Sequence, residues 1–586
     1  MTAVPTAPAT PTAGQAAARS ASARQTDGAH LVVEALRRHG VRSVYGVVGI
    51  PVTDLARLAQ ASGIRFIGFR HESDAGHAAA AAGFLTGRPG VCLTVSGPGF
   101  LNGLVALANA TTNCFPVVQI SGSSERDVID LRRGDYEELD QLATARPLVK
   151  AAFRVDRAED VGRGLARAIR TAVSGRPGGV YLDLPAAVLG EVVAGATAAT
   201  SLPGVVDPAP RQLPPPEAVD RAVELLAAAR RPLMVVGKGA AYARAEDSVR
   251  EFVERTGLPF LPMSMAKGLL PDDHPQSVAT ARSLALREAD VVLLVGARLN
   301  WLLGHGEPPQ WNPDARFAQI DIDPAELDGN RPIEAPLVGD AVSVMEALLD
   351  RAVPGRIRAP EEWRERLAAR SAQNVTKMAG RLEAARTARP MTFLGALQAI
   401  REVLRDHPRT YVVNEGANAL DFARNVLDMR LPRHRLDSGT WGIMGIGMGY
   451  AIAATVETGD PVVAVEGDSA LGFSGMELET ICRYDLPVIT VVLNNGGVYR
   501  GDDVSPTTAP APTALRARYD LMINAFGGMG LRATTPDDVA AALREALASG
   551  GPALIDCVID PSDGTESGHL TSLNPKGVGD LTHPAA

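Results

Sequence analysis

Apolar residues fall along this chain in short, nearly unbroken runs, separated by longer stretches in which apolar positions recur three and four residues apart. From His30 the order reads helix (LVVEALRRHG), strand (SVYGVVG), helix (PVTDLARLAQ), strand (IRFIGF), the Ala-rich helix SDAGHAAAAAGFLTG and strand VCLTV. Unbroken apolar strands alternating with amphipathic helices predict parallel sheets covered on both faces. The winding continues through VVQIS to GGVYLDLP, and an Ala/Thr/Gly/Pro-rich connection to about Pro216 closes a first unit. A second unit carries PLMVVG, VVLLVGAR and FAQIDID, without a GxGxxG. A charged helical linker, EEWRERLAARSAQNVTKMAGRLEAARTAR, leads to a third with YVVNEG, WGIMGIGMGYAIAA, PVVAVE, PVITVVL and ALIDCVID. The expected fold class is therefore α/β, with three doubly wound parallel-sheet domains at 28–200, 210–353 and 391–560. A linker at 354–390 joins the last two. Residues 1–27 are expected to be a disordered tail, and 561–586, rich in Gly, Ser, Pro and Thr, a mobile C-terminal tail.

A length of 586 residues agrees with about three cores. No apolar run reaches the roughly 18 residues that suggest a membrane span, so no membrane partner is expected. Lys and Arg number 58 against 67 acidic residues, a net charge of −9, which argues against general nucleic-acid affinity and leaves room for a local basic pocket. Cys92, Cys114, Cys482 and Cys557 lie far apart without metal-ligand spacing and read as free thiols of a reducing, cytoplasmic compartment. The tail carries Arg19 and Arg24 but no secretory apolar core, and reads as bland rather than targeting.

The chemistry concentrates between Ala464 and Tyr499. One strand ends in Gly467-Asp468-Ser469 and the next in Asn494-Asn495-Gly496-Gly497, with 24 residues (Ala470 to Leu493) between. The Asp468 carboxylate, the Asn495 amide oxygen and a backbone carbonyl near Gly497 are hard donors suited to Mg2+ sharing its octahedron with diphosphate oxygens and water. Gly439 to Gly449, GTWGIMGIGMG, holds too many glycines for an ordinary helix start. Either a cofactor or close helix–sheet packing accounts for it. Glu72 opens a helix after a strand, where a carboxylate is favourable in the helix dipole or has a catalytic use.

The paired strand ends resemble the diphosphate-binding signature of thiamine-diphosphate enzymes, with Ser469 in place of the usual second glycine. That resemblance makes Glu72 the acid that hydrogen-bonds the pyrimidine ring, places the ring at Gly442, Ile443 and Met444, and adds Ala417, Asn418, Ala419, Ser469, Ala470 and Tyr499 to the cofactor-binding set. The three units become pyrimidine-binding, central and diphosphate-binding domains. Longer strings, among them RRGDYEELDQ, NEGANALD, LDSGTWGIMGIGMGY and EGDSALGFSGMELETICRY, are similar to the oxalyl-CoA decarboxylase family over roughly residues 28 to 575.

This second resemblance implies decarboxylation of oxalyl-CoA to formyl-CoA in oxalate catabolism. Ile50, Tyr136, Glu137, Tyr499 and Ser567 would line the reacting end, and Arg282, Asn374, Arg424, Asn425, Glu566, Ser567 and Gly568 would join Ile50 and Tyr136 in holding the CoA ester. Arg176, reaching in from the first unit, with Lys238, Arg298 and Asp321, would bind ADP as an activator. A homo-oligomer, as a dimer of dimers, and a functional link to a CoA transferase are implied too. His569 stands where some relatives have arginine, which puts a charged contact there in doubt. No His-His pair of the pyruvate decarboxylase kind is present, which weighs against a free 2-oxo acid. Two alternatives stay open: a 2-hydroxyacyl-CoA lyase, and a catalytically silent cofactor-binding subunit, against which Glu72, Asp468 and Asn495 speak together.

Overall fold

Strands buried on both faces must be apolar throughout, and the chain supplies such runs in three groups. A computed structural model of the protein describes residues 25–205, 207–352, 355–497 and 517–564. The expectations for residues 1–24, Tyr499, Glu566, Ser567, Gly568, His569 and the C-terminal tail beyond 564 lie outside the described residues. By packing, the chain forms two compact units, one holding residues up to Ala79 with Pro89–Pro208, the other Ala80–Arg88 with the chain from Ala209 onward.

In the first unit β1 (Ser43–Gly46), β2 (Arg65–Gly68), β3 (Gly90–Thr94), β4 (Val117–Ser123), β5 (Ala151–Arg154) and β6 (Gly179–Pro185) form one parallel sheet in the order β2-β1-β3-β4-β6-β5. Its core includes Leu31, Val118, Leu165, Val180 and Leu182. Gln25–Asp27 departs from the expected disordered tail. It pairs antiparallel with Val192–Ala194, and Asp27 caps the helix Gly28–Arg38 by accepting the His30 N–H at 2.9 Å. Ladder bonds and a cap hold three polar residues that bury little, which composition alone does not register.

The second unit carries two parallel sheets. The central one, β7 (Pro232–Val236), β8 (Phe260–Pro262), β9 (Val291–Val295), β10 (Arg316–Asp321) and β11 (Ile333–Val338), has the order β8-β7-β9-β10-β11. Its middle strand, VVLLV, is buried along its whole length, at about 1.5–3 kcal/mol per large side chain. The other, β12 (Tyr411–Glu415), β13 (Arg435–Asp437), β14 (Val462–Gly467), β15 (Val488–Asn494), β16 (Met529–Ala533) and β17 (Ala553–Val558), has the order β13-β12-β14-β15-β17-β16. The expected linker is the 27-residue helix Glu361–Thr387, anchored by buried Trp363, Leu367, Leu382 and Ala385.

All three sheets are doubly wound, so each has a point where consecutive connections leave in opposite directions. In an open parallel sheet that point makes a crevice beyond the carboxyl ends of the strands, where ligands bind. It falls between β1 and β3 in the first sheet, β7 and β9 in the central sheet, and β12 and β14 in the last. Among the described residues no helix is long and apolar enough to cross a membrane.

Candidate active site

At the crevice of the last sheet, β12 and β14 end side by side in Glu415-Gly416 and Glu466-Gly467. Gly416 has φ 96°, and a Cβ there would stand 3.0 Å from the Gly467 nitrogen, so only glycine lets these two turns meet. The ten-residue helix α1 (Ala417–Val426) starts at this turn and directs its first N–H groups into the crevice, which favours an anion. Expected cofactor residues Ala417, Asn418 and Ala419 form its first turn; Asn418 and Ala419 are buried.

Asp468 draws the neighbouring turns together. Its Oδ2 accepts the N–H groups of Gly496 at 2.8 Å and Gly497 at 3.2 Å, and its Oδ1 accepts that of Ser469 at 2.7 Å. The two strand ends that the sequence paired are therefore joined. A carboxylate is a hard oxygen donor of the kind that Mg2+ takes. Asn495 is buried beside this turn, and Ala470 is buried at the start of the short helix Asp468–Ser474. The Ser469 Oγ is buried with no hydrogen-bond partner among the described residues, as an atom meant for a ligand oxygen would be. Asp468, Asn495 and the turn at Gly496-Gly497 bring a carboxylate, an amide and backbone carbonyls to the same two strand ends, oxygen donors of the kind Mg2+ takes. These residues fit a magnesium diphosphate.

The Gly439–Gly449 stretch turns sharply and then opens the helix α2 (Gly447–Thr458). Ile443 and Met444 are half-buried and Gly442 is exposed. Glu415 accepts the N–H of Gly445 through Oε1 and that of Gly447 through Oε2, the latter at 2.6 Å. Glu466, fully buried, is its register partner. Burial pushes the Glu415 carboxyl up to about 7 against the pull of these amides; burial and then the Glu415 charge hold Glu466, which has no hydrogen-bond partner among the described residues, well above the carboxylate range.

The first unit carries the other half of the expected residues. Glu72 is buried at the start of the helix Glu72–Thr86, and its Oε2 accepts Asn102 Nδ2 at 3.0 Å. Glu137 accepts the Ser96 hydroxyl at 2.8 Å. The Tyr136 hydroxyl donates to Glu137; that bond, followed by the carboxylate's charge, raises the phenol above its ordinary value. Tyr136 and Ile50 are 67% and 72% exposed, unusual for side chains of their size.

In the second unit, Arg282 donates to Leu302 O at 3.1 Å, and its pKa is lowered first by burial and then by the charge of Arg424. The two guanidinium groups thus lie close enough to repel. Asn374 donates to Thr280 O at 2.7 Å, two residues from Arg282. The Arg424 Nε is buried without a partner among the described residues, while Asn425 bonds within its own helix to Asp421 O. Lys238 and Arg298 follow β7 and β9 at the crevice of the central sheet, and Asp321 ends the adjacent β10. Arg298 pairs with Glu326 at 3.2 Å. Arg176 belongs to the first unit, where its Nε donates to Cys114 Sγ at 3.0 Å.

Three family models match the chain in sequence: Thiamine pyrophosphate enzyme, N-terminal TPP binding domain, at residues 26–144; its central domain, at 219–348; and its C-terminal TPP binding domain, at 416–557. The oxalyl-CoA decarboxylase of Escherichia coli (strain K12) is 58% identical over 559 residues, covering 95% of this chain and 99% of the relative. This chain belongs to the thiamine pyrophosphate enzymes. The 2-hydroxyacyl-CoA lyase of Oryza sativa subsp. japonica is 46% identical over 94% of the chain and 99% of the relative, and 2-hydroxyacyl-CoA lyase 1 of Homo sapiens 41% identical over 92% and 96%.

Within this thiamine pyrophosphate enzyme, some contacting residues were not singled out from sequence. Asn102 lies in the string TVSGPGFLNG, and Glu415 in NEGANALD, one of the strings that carry the family resemblance. Neither carries a local mark of its partner, because Asn102 is 30 residues from Glu72 and Glu415 is 32 from Gly447. Gln141 is a third. It accepts the Gly97 N–H at 2.6 Å and donates to the Tyr181 hydroxyl at 2.6 Å, bracing the loop that faces Glu137.

Proposed function

We propose that the protein decarboxylates oxalyl-CoA to formyl-CoA and CO2, using thiamine diphosphate and Mg2+, in oxalate breakdown. The observation that carries this reading is the 58% identity to an oxalyl-CoA decarboxylase over nearly the whole of both chains. When bound, the cofactor supplies a nucleophilic carbon and an electron sink for the departing carboxylate. Asp468, Asn495 and the Gly497 carbonyl would hold Mg2+. Ser469, Ala470 and the first turn of α1 would hold the diphosphate, and Gly442, Ile443 and Met444 the pyrimidine ring. Glu72, oriented by Asn102, would exchange a proton with that ring.

Tyr136 and Glu137, already hydrogen-bonded, form a donor and acceptor pair able to hand a proton to the product carbon, and Ile50 would keep water from the reacting end. Arg282, Arg424 and Asn374 would bind the CoA phosphates; an anion between Arg282 and Arg424 relieves their repulsion. Lys238, Arg298 and Asp321, at the crevice of the central sheet, would bind ADP as an activator. Exposed apolar side chains stand near each set of residues, Val48, Ile50, Leu101 and Val105 in the first unit and Trp441, Phe473 and Met476 in the second. They support a homo-oligomer in which each site uses two chains. Four free cysteines fit a cytoplasmic setting, and the substrate calls for a CoA transferase upstream.

A second reading, cleavage of 2-hydroxyacyl-CoA to formyl-CoA and an aldehyde, is favoured by the relatives at 46% and 41% identity. Assay of the holoenzyme with each ester separates the two. Oxalyl-CoA should be turned over with a kcat/KM at least tenfold higher, and the reverse order would replace the first reading by the second.

A further inference from the structure

The first N–H groups of an α-helix have no partners within it. For the twelve-residue α2, the cap residue Ile446 supplies no side-chain bond. From another part of the chain, one oxygen of Glu415 accepts the N–H of Gly447, the first residue of the helix, at 2.6 Å, and the other accepts that of Gly445, just before the cap. A carboxylate there also meets the positive end of the helix dipole. From the adjacent strand, Glu466 bounds the same turn by contact. A Cβ at Gly447 would stand 1.9 Å from its Oε1, so the helix start reaches this depth only as glycine.

Met444 joins Gly445 directly, so the turn 442–444, with its half-buried Ile443 and Met444, has almost no slack relative to the amides that Glu415 holds. We infer that Glu415 is a positioning residue, whose clamp on Gly445 and Gly447 sets the height and tilt of the turn on which the cofactor's pyrimidine ring rests. This rests on the pyrimidine turn proposed above and is independent of the acyl substrate.

The test uses the full chain, with Glu415→Ala and Glu415→Gln as variants. In the cofactor-free wild-type protein, hydrogen exchange should find the Gly445 and Gly447 amides protected at least tenfold; open amides overturn the inference. In Glu415→Ala they should exchange at least tenfold faster while Val462–Glu466 of β14 stays unchanged, and the calorimetric Kd for thiamine diphosphate with Mg2+ should rise at least tenfold. Glu415→Gln, which keeps one acceptor oxygen, should fall between, and it decides by the same measures if the alanine variant does not fold. A lowered melting temperature with exchange faster across the whole sheet and unaltered cofactor affinity would make Glu415 merely structural. Wild-type protein that binds thiamine diphosphate but leaves oxalyl-CoA intact would refute the proposed substrate and not this clamp.

Discussion

Replacing Asp468 by asparagine changes one atom and one charge, yet the surrounding hydrogen bonds make the substitution far from conservative. The carboxylate accepts three N–H groups, two on Oδ2 and one on Oδ1. Asparagine has a single acceptor oxygen. If that oxygen faces Gly496 and Gly497, its NH2 is turned against the Ser469 N–H; if it faces Ser469, two donors lose their acceptor. A hydrogen bond to a charged group contributes about 1.5–3 kcal/mol, and each 1.4 kcal/mol is about tenfold in binding. Losing one such bond together with the anionic metal ligand should therefore weaken thiamine diphosphate binding by about ten- to a hundredfold. Titration calorimetry with Mg2+ present, then with a chelator, measures it. Wild-type affinity should fall on chelation, while that of Asp468→Asn should already be low and respond little. A variant Kd within twofold of wild type, still sensitive to chelation, would refute the metal site.

Glu72→Gln keeps an acceptor for Asn102 but cannot exchange a proton, so turnover should drop at least about a hundredfold with cofactor Kd nearly unchanged; near-normal turnover would remove Glu72 from its role. Arg282→Ala should raise KM for the CoA ester about tenfold and leave kcat within about twofold, as expected for a lost charge-assisted bond to phosphate; an unchanged KM argues against the CoA position. Lys238→Ala should abolish saturable ADP binding in calorimetry, and absence of such binding in the wild type would dismiss the ADP site. Burial lowers His77 to about 3, so between that value and about 6.5 the unfolded chain binds the extra proton and stability falls as the pH falls. At pH 5 this amounts to at most about 2 kcal/mol. Urea midpoints at pH 7 and 5 should differ less for His77→Asn than for wild type, and equal differences would contradict the assignment.

Much of the fold was legible because buried parallel strands must be apolar throughout: VVLLV and PVITVVL could hardly be anything else. The joining of Asp468 to Gly496 and Gly497 was legible for a related reason, since both turns follow such strands and adjacent strands align their ends. Other elements broke the pattern. The strand Arg435–Asp437 contains two charged residues, and its Arg435 is wholly buried, with burial lowering its pKa to about 10. Strand Ala151–Arg154 ends in an arginine paired at 3.1 Å with buried Asp183. Each also needs a distant partner, Asp183 for Arg154 and Ser264 for Arg435, 29 and 171 positions away, and no local pattern carries that information. The same limit hid the Glu415 clamp, although Glu415 stood in a recognised string.

The central claim is most directly tested by the fate of the two oxalyl carbons. The protein, reconstituted with thiamine diphosphate and Mg2+, should convert doubly 13C-labelled oxalyl-CoA into labelled CO2 and labelled formyl-CoA in equal amounts, and should release neither when the cofactor is omitted. Saturable cofactor binding with the labelled ester returned intact, or release of free oxalate without CO2, would contradict the account.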